Sequence, residues 1–131
     1  MLLLSVQKRQ NFLALTKSSI KFHAKNLLIV SGPTPEQYWL NPHSKKYDDF
    51  SRLGLTVTKK IGKAVIRNKI KRRLREVFRE LAKKNYLVNR YDFVVIAKKN
   101  SVNADFSLLE KDILFCLKHI KRQINVGQKA N

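Results

Sequence analysis

Acidic residues are scarce in this 131-residue chain: nine Asp and Glu stand against 28 Lys and Arg, a formal charge of +19 at pH 7. That imbalance favours a phosphate-rich partner, with an anionic membrane surface as the second candidate. No apolar run approaches the ~18 residues of a membrane-spanning helix. The opening Met-Leu-Leu-Leu-Ser-Val is too short for a signal-peptide core, and its charges follow rather than precede it. A single cysteine, Cys116, excludes an internal disulfide and a cysteine-rich zinc site. Lying in the apolar stretch 113–117, it reads as a buried structural thiol and fits a reducing, cytoplasmic compartment. The three histidines, His23, His43 and His119, are not spaced as paired metal ligands. His119 is expected near a helix C-terminus, where the dipole favours a cation. The one adjacent acid pair, Asp48-Asp49, falls in a loop and reads as solvated rather than as a magnesium site. With no phosphate-cradling glycine loop and no Ser or Cys placed with His and Asp, the chain lacks a self-contained catalytic site. It has no internal repeat either. Its apolar content of 44% nevertheless suffices for one folded domain.

What the chain does have is concentrated between residues 57 and 80. From Lys59 to Arg79 there are ten Lys or Arg and one acid, Glu76. Ile66, Ile70, Leu74, Val77, Phe78 and Leu81 recur at three- and four-residue steps, the period of one helix face. Arg67, Lys71 and Arg75 form an i, i+4, i+8 row, and Asn68, Arg72, Arg75 and Arg79 the row beside it. At about 100° per residue the two rows cover a stripe roughly 140° wide, leaving Lys69, Arg73, Glu76 and Glu80 on the remaining flank. Like charges four residues apart each cost a few tenths of a kcal/mol, and acids that would form compensating ion pairs are nearly absent. A polyanion would relieve the repulsion, so the stripe points to nucleic acid more strongly than to a merely solvated face.

Along the chain, residues 7–17 suit a short helix with Phe12 and Leu15 on one side. Two strand-like pieces, 20–23 and 27–30, flank Lys25-Asn26, and Ser31-Gly32-Pro33-Thr34-Pro35 is expected to end the second. A long loop follows to Ser51, with a helical turn near residues 36–39; Trp39 reads first as the anchor that pins it to the core and second as a base-stacking ring. Leu53, Leu55 and Val57 alternate with small or polar residues as in a half-buried strand. Gly62 breaks that strand before a helix starting near Ala64 and ending at Lys83-Lys84-Asn85. Residues 91–97 are nearly all apolar and predict a strand covered on both faces. Asn103 or Asp105 can cap a last helix, whose Leu109, Ile113, Cys116, Leu117, Ile120 and Ile124 keep helical spacing.

Arg52-Leu53-Gly54, Lys59-Lys60, Gly62, Ala64-Val65, Arg67-Asn68, Lys71-Arg72 and Arg75-Glu76 together closely resemble the signature of the bacterial ribonuclease P protein subunit. Lys8-Arg9-Gln10-Asn11-Phe12 is similar to that family's opening helix. The resemblance implies a single α+β domain over residues 1–126 with a frayed tail at 127–131. The implied order is αβββαβα, with a four-stranded mixed sheet packed by helices, ribosomal protein S5 domain 2-like. It also implies a left-handed βαβ crossover, against the usual hand. Members assist a catalytic RNA that removes the 5′ leader of precursor tRNA. The RNA holds the magnesium ions and performs the hydrolysis, so the expected partners are that RNA and precursor tRNA, with no membrane and no obligate protein partner.

Carried over by position, Lys59, Lys60, Arg67, Asn68, Lys69, Lys71, Arg72, Arg75 and Arg79 are implied to bind RNA, and Phe12 to lie in the cleft that stacks on the single-stranded leader. Three departures stand out. Lys69 replaces the usual Arg and loses its bidentate fork. Thr16 replaces a second cleft aromatic. The loop at 32–51 is longer than typical. A ribosome-associated or DNA-binding basic protein is the competing reading, but a helix-turn-helix needs two helices joined by a short turn, and here strands flank the basic helix.

Overall fold

The fold was obtained as a computed structural model. It describes residues 1–6, 20–40, 43 and 46–130, with side chains described only up to 126 in the last helix. The helix expected at 7–17, with Phe12 and Thr16, lies outside the described residues.

Five strands form one sheet: β1 (Leu2–Ser5), β2 (Ile20–His23), β3 (Leu27–Pro33), β4 (Phe50–Thr56) and β5 (Tyr91–Ala97), in the spatial order β1-β4-β5-β3-β2. Helix α1 (Ala64–Lys83) connects β4 to β5, which are parallel neighbours, and helix α2 (Phe106–Ala130) closes the chain. The resulting fold is a single α+β domain with a mixed sheet.

The sheet departs from the expected four strands. Leu2–Ser5 adds a fifth, parallel to β4, with Leu2 opposite Phe50 and Ser5 opposite Leu53. Four residues carry little pattern of their own; this strand exists because β4 offers an unpaired edge. Strand β3 also runs on through Gly32 to Pro33, beyond the stop expected at Ser31. Pro33 is its last residue, where a missing N–H interrupts no further ladder bond. Strand β4 starts at Phe50, three residues before the first alternating leucine.

Alternation divides the sheet into two faces. Leu27, Ile29, Leu53, Phe93 and Val95 point to one side and join Ile70, Leu74, Val77 and Phe78 of α1 and Leu109, Ile113, Cys116, Leu117, Ile120 and Ile124 of α2 in the main core. Val30 and Val94 are buried on the other side, beside Leu28 and Ile96. Strand β5 is therefore covered on both faces, as its apolar run predicts. Helix α1 packs against β1 and β4, and α2 against β2 and β3.

Asp105 caps α2: its Oδ1 accepts bonds from the Leu108 N–H at 3.0 Å and the Ser107 hydroxyl at 2.8 Å. These bonds hold its carboxyl below the usual carboxylate range. The backbone of α2 stays helical through Ala130, past Gly127, where the sequence reading placed a frayed tail. His119 therefore sits well inside α2 rather than near its C-terminus, and its ring stacks on Phe22.

The segment after β3 forms a 3-10 turn at Glu36–Tyr38. Trp39 anchors it: the indole N–H donates to the Thr34 carbonyl at 3.0 Å, and the Arg90 guanidinium lies 4.4 Å from its ring centroid.

Candidate nucleic-acid interface

A tight turn aims α1. Thr58 is extended, Lys59–Ile61 makes one 3-10 turn, and Ile61 is buried as an anchor. Gly62 has φ 153°, a value that side chains rarely adopt, and a Cβ there would meet Ile66 at 3.4 Å. Its carbonyl accepts a bond from Arg67 Nε at 3.2 Å. No acid sits in the first turn of α1 and no side chain caps it, so Lys59, Lys60 and Lys63 surround the positive end of the helix dipole.

From there the helix shows two chemically distinct sides. Ile70, Leu74, Val77, Phe78, Leu81 and Ala82 are buried. Lys59, Lys60, Asn68, Lys69, Arg72, Arg75 and Arg79 are exposed, with Arg67 and Lys71 half-buried beside them. Among the described residues, none of these eight cations has an ion-pair partner. From Arg67 to Arg79 they extend about 18 Å along the helix axis. Glu76 and Glu80 border the stripe, lining a groove toward α2 together with its Arg79 and with Val77, Leu81 and Phe106.

Lys71, Arg75 and Arg79 also form one wall of a groove of about 300 Å³. Its other wall is β1, through Leu3, Leu4, Ser5 and Val6, over a floor of Leu53 and Leu55. This wall has no counterpart in the sequence reading; the only signal was the run of leucines at residues 2–4. Arg67, Asn68, Lys71, Arg72, Arg75 and Arg79 share one side of α1, with Lys59 and Lys60 in the turn before it; Lys69 falls on the flank with Glu76 and Glu80, and a strand edge lies beside Lys71, Arg75 and Arg79.

Two other basic residues, one on α1 and one on β4, serve packing instead. Arg73 is half-buried, its NH1 reaching the Ala104 carbonyl at 3.4 Å, which ties α1 to the segment before α2. Arg52 is only 5% exposed and Asp92 only 1%. Their bidentate pair spans β4 and β5, with Nε donating to Oδ1 at 2.7 Å. The Thr34 hydroxyl donates to the same oxygen at 2.6 Å, and the Tyr38 ring lies 4.6 Å from the guanidinium. Arg52 therefore ties the loop after β3 to the sheet and presents no charge to solvent.

Among the described residues, no three of His, Cys, Asp and Glu gather in a metal-holding group. Asp48 and Asp49 are both exposed. No helix of the described chain is long and apolar enough to cross a membrane.

A ribonuclease P family model matches residues 4–121. The chain belongs to the ribonuclease P protein family. The ribonuclease P protein component of Streptococcus pneumoniae is 33% identical over 126 residues, covering 95% of this chain and 91% of that one. The component of Carboxydothermus hydrogenoformans is 38% identical over 88 residues, covering 67% and 72%. Among solved structures, the ribonuclease P protein of Thermotoga maritima matches with a TM-score of 0.68 at 28% identity, covering 90% of this chain and 96% of that one. That of Staphylococcus aureus matches with a TM-score of 0.65 at 26% identity, covering 89% and 88%. This family places the chain as the protein subunit of ribonuclease P, in tRNA 5′ processing, with an RNA subunit as its partner.

Proposed function

We propose that this chain docks on the catalytic RNA through the stripe formed by Lys59, Lys60, Arg67, Asn68, Lys69, Lys71, Arg72, Arg75 and Arg79, and that the assembled particle cuts the 5′ leader from precursor tRNA. The observation that carries this reading is eight cations on α1 and the turn before it, none of them ion-paired among the described residues, next to the open N-terminus of the helix. Phosphates would supply the missing partners and release counterions on binding. Arg72, Arg75 and Arg79 can each hold a phosphate with two parallel bonds, whereas Lys69 contacts it as a point charge.

Catalysis falls to the RNA in this proposal. Magnesium would be held by the RNA, and this chain contributes binding and orientation. Phe12, outside the described residues, would stack on the unpaired leader. The particle would work in the cytoplasm, where precursor tRNA is made in a bacterium.

The test is reconstitution. Highly purified, RNA-free protein should leave precursor tRNA intact, and adding the RNA subunit with magnesium should produce the mature 5′ end. Specific 5′ processing by the protein alone would overturn the reading. Recovery of only ribosomal RNA with the protein from cells would favour a ribosome-associated role instead.

A further inference from the structure

A second aromatic and basic surface lies on β2 and α2, toward the opposite edge of the sheet from β1. Phe22 of β2 and His119 of α2 stack with ring centroids 4.8 Å apart and planes 13° from parallel. Phe115 meets the His119 ring edge-on at 4.6 Å and is itself 51% exposed. A large aromatic left half in water has no role in the core, which its neighbours Ile113, Cys116 and Leu117 already serve. Lys111, Lys118 and Arg122 stand at helical spacing around Phe115, all exposed, and Lys21 and His23 are exposed on β2. None of Lys21, Lys111, Lys118 and Arg122 forms an ion pair among the described residues. The adjacent acid, Asp112, is engaged by both the backbone and side-chain nitrogens of Asn26.

Ring faces interleaved with unpaired cations are what an unpaired nucleic-acid strand requires: a platform for bases and a track for phosphates. From Lys111 to Arg122 the track runs about 16 Å along the helix, enough for a few nucleotides. A protein strand is a poorer occupant. Strand β2 is an edge, but Lys21 on it opposes edge-to-edge pairing, and the cations would repel another copy of this basic chain.

We propose that Phe115, His119, Lys118 and Arg122 form a second site that takes the distal, 5′-ward nucleotides of a long precursor leader. The inference rests on the proposed role in leader removal. The leader is the favoured source because an unpaired strand offers free base faces to the exposed Phe115 ring, whereas the bases of a duplex are already stacked on one another.

The experiment titrates the holoenzyme with precursors carrying leaders of about five and about fifteen nucleotides, a range chosen from the site sizes of single-strand binders. Wild type should bind the longer leader more tightly. Phe115→Ala should cancel that gain, a loss of about 5- to 10-fold, the low end for one stacked base. It should leave the short-leader precursor and assembly with the RNA subunit unchanged. Phe115→Trp should restore the gain, and Lys118→Glu with Arg122→Glu should make it less salt-dependent. Because Phe115 is exposed, its melting temperature should stay at the wild-type value. Equal losses on both leaders, weakened assembly with the RNA subunit, a changed oligomeric state, or no loss at all would each overturn the proposal. Failure of the wild-type holoenzyme to process the short-leader precursor would instead defeat the broader reading, and this one with it.

Discussion

Replacing Arg52 with Met should destabilise the domain while sparing RNA binding. Arg52 and Asp92 are almost wholly buried and form a bidentate pair between neighbouring strands. Methionine keeps most of the packing volume but leaves the Asp92 carboxylate with the Thr34 hydroxyl as its remaining side-chain partner. Removing one member of a buried pair typically costs 3–5 kcal/mol, because the other charge stays behind. The cation–π contact with Tyr38 is lost as well, worth about 0.5–2 kcal/mol. For a chain of this size, each kcal/mol lowers the melting temperature by about 3–5 °C, so a fall of roughly 10–35 °C is expected by circular dichroism. The double variant Arg52→Met with Asp92→Leu should recover much of the loss, since it removes the stranded charge. At a temperature where Arg52→Met remains folded, its affinity for the RNA subunit should match wild type. A loss below about 1 kcal/mol in stability, or a large loss of RNA affinity in a folded variant, would show that Arg52 is a surface contact instead of a brace.

The two sides of α1 should separate cleanly: Arg72→Glu should keep the wild-type melting temperature and cost about 1–3 kcal/mol in RNA binding, whereas Leu74→Glu should unfold the domain by burying an unpaired charge. Equal melting temperatures for the two would refute the assignment of faces. Phe12→Ala should weaken precursor tRNA by about 1–3 kcal/mol, at the lower end because Thr16 offers no second ring, and leave mature tRNA unaffected; equal losses on both, read by titrating the holoenzyme, would remove Phe12 from the leader site. Burial pushes the Cys116 thiol from 9.0 up to about 11, so native protein should resist thiol reagents at pH 8 until unfolded. Between about pH 9 and pH 11 the unfolded thiol loses its proton while the folded one keeps it, so Cys116 should make stability fall as pH rises through that window; a Cys116→Ala variant with the same pH dependence would contradict this.

Local periodicity and non-local pairing explain which features could be read from the sequence. Helix α1 was legible because Ile70, Leu74, Val77 and Phe78 repeat at its own period, and the same count put the cations on the opposite side. Strand β5 was legible as an apolar run bounded by polar residues, and Trp39 as an anchor because one tryptophan sits among turn residues. Strand β1 was not: four residues have no usable period, and only the edge of β4, nearly 50 positions on, makes them a strand. Arg52 looked like one more cation because its partner, Asp92, is 40 residues away. Phe115 was hidden inside an apolar stretch whose other members are core; its exposure follows from its place on the helix rather than from its chemistry. Nothing local in the sequence marks the end of α2, which continues past Gly127, so His119 lies deeper in the helix than its neighbours suggest.

The salt dependence of binding to the RNA subunit tests the central claim most directly. If the α1 stripe engages about five to seven phosphates, the logarithm of the association constant should fall against the logarithm of salt with a slope of about −4 to −6. Reversing Arg72 and Arg75 to Glu should make that slope shallower by about 2, with the melting temperature unchanged. A wild-type slope shallower than about −2, or one that the double reversal leaves as it was, would contradict the assignment of α1 as the surface that holds the RNA.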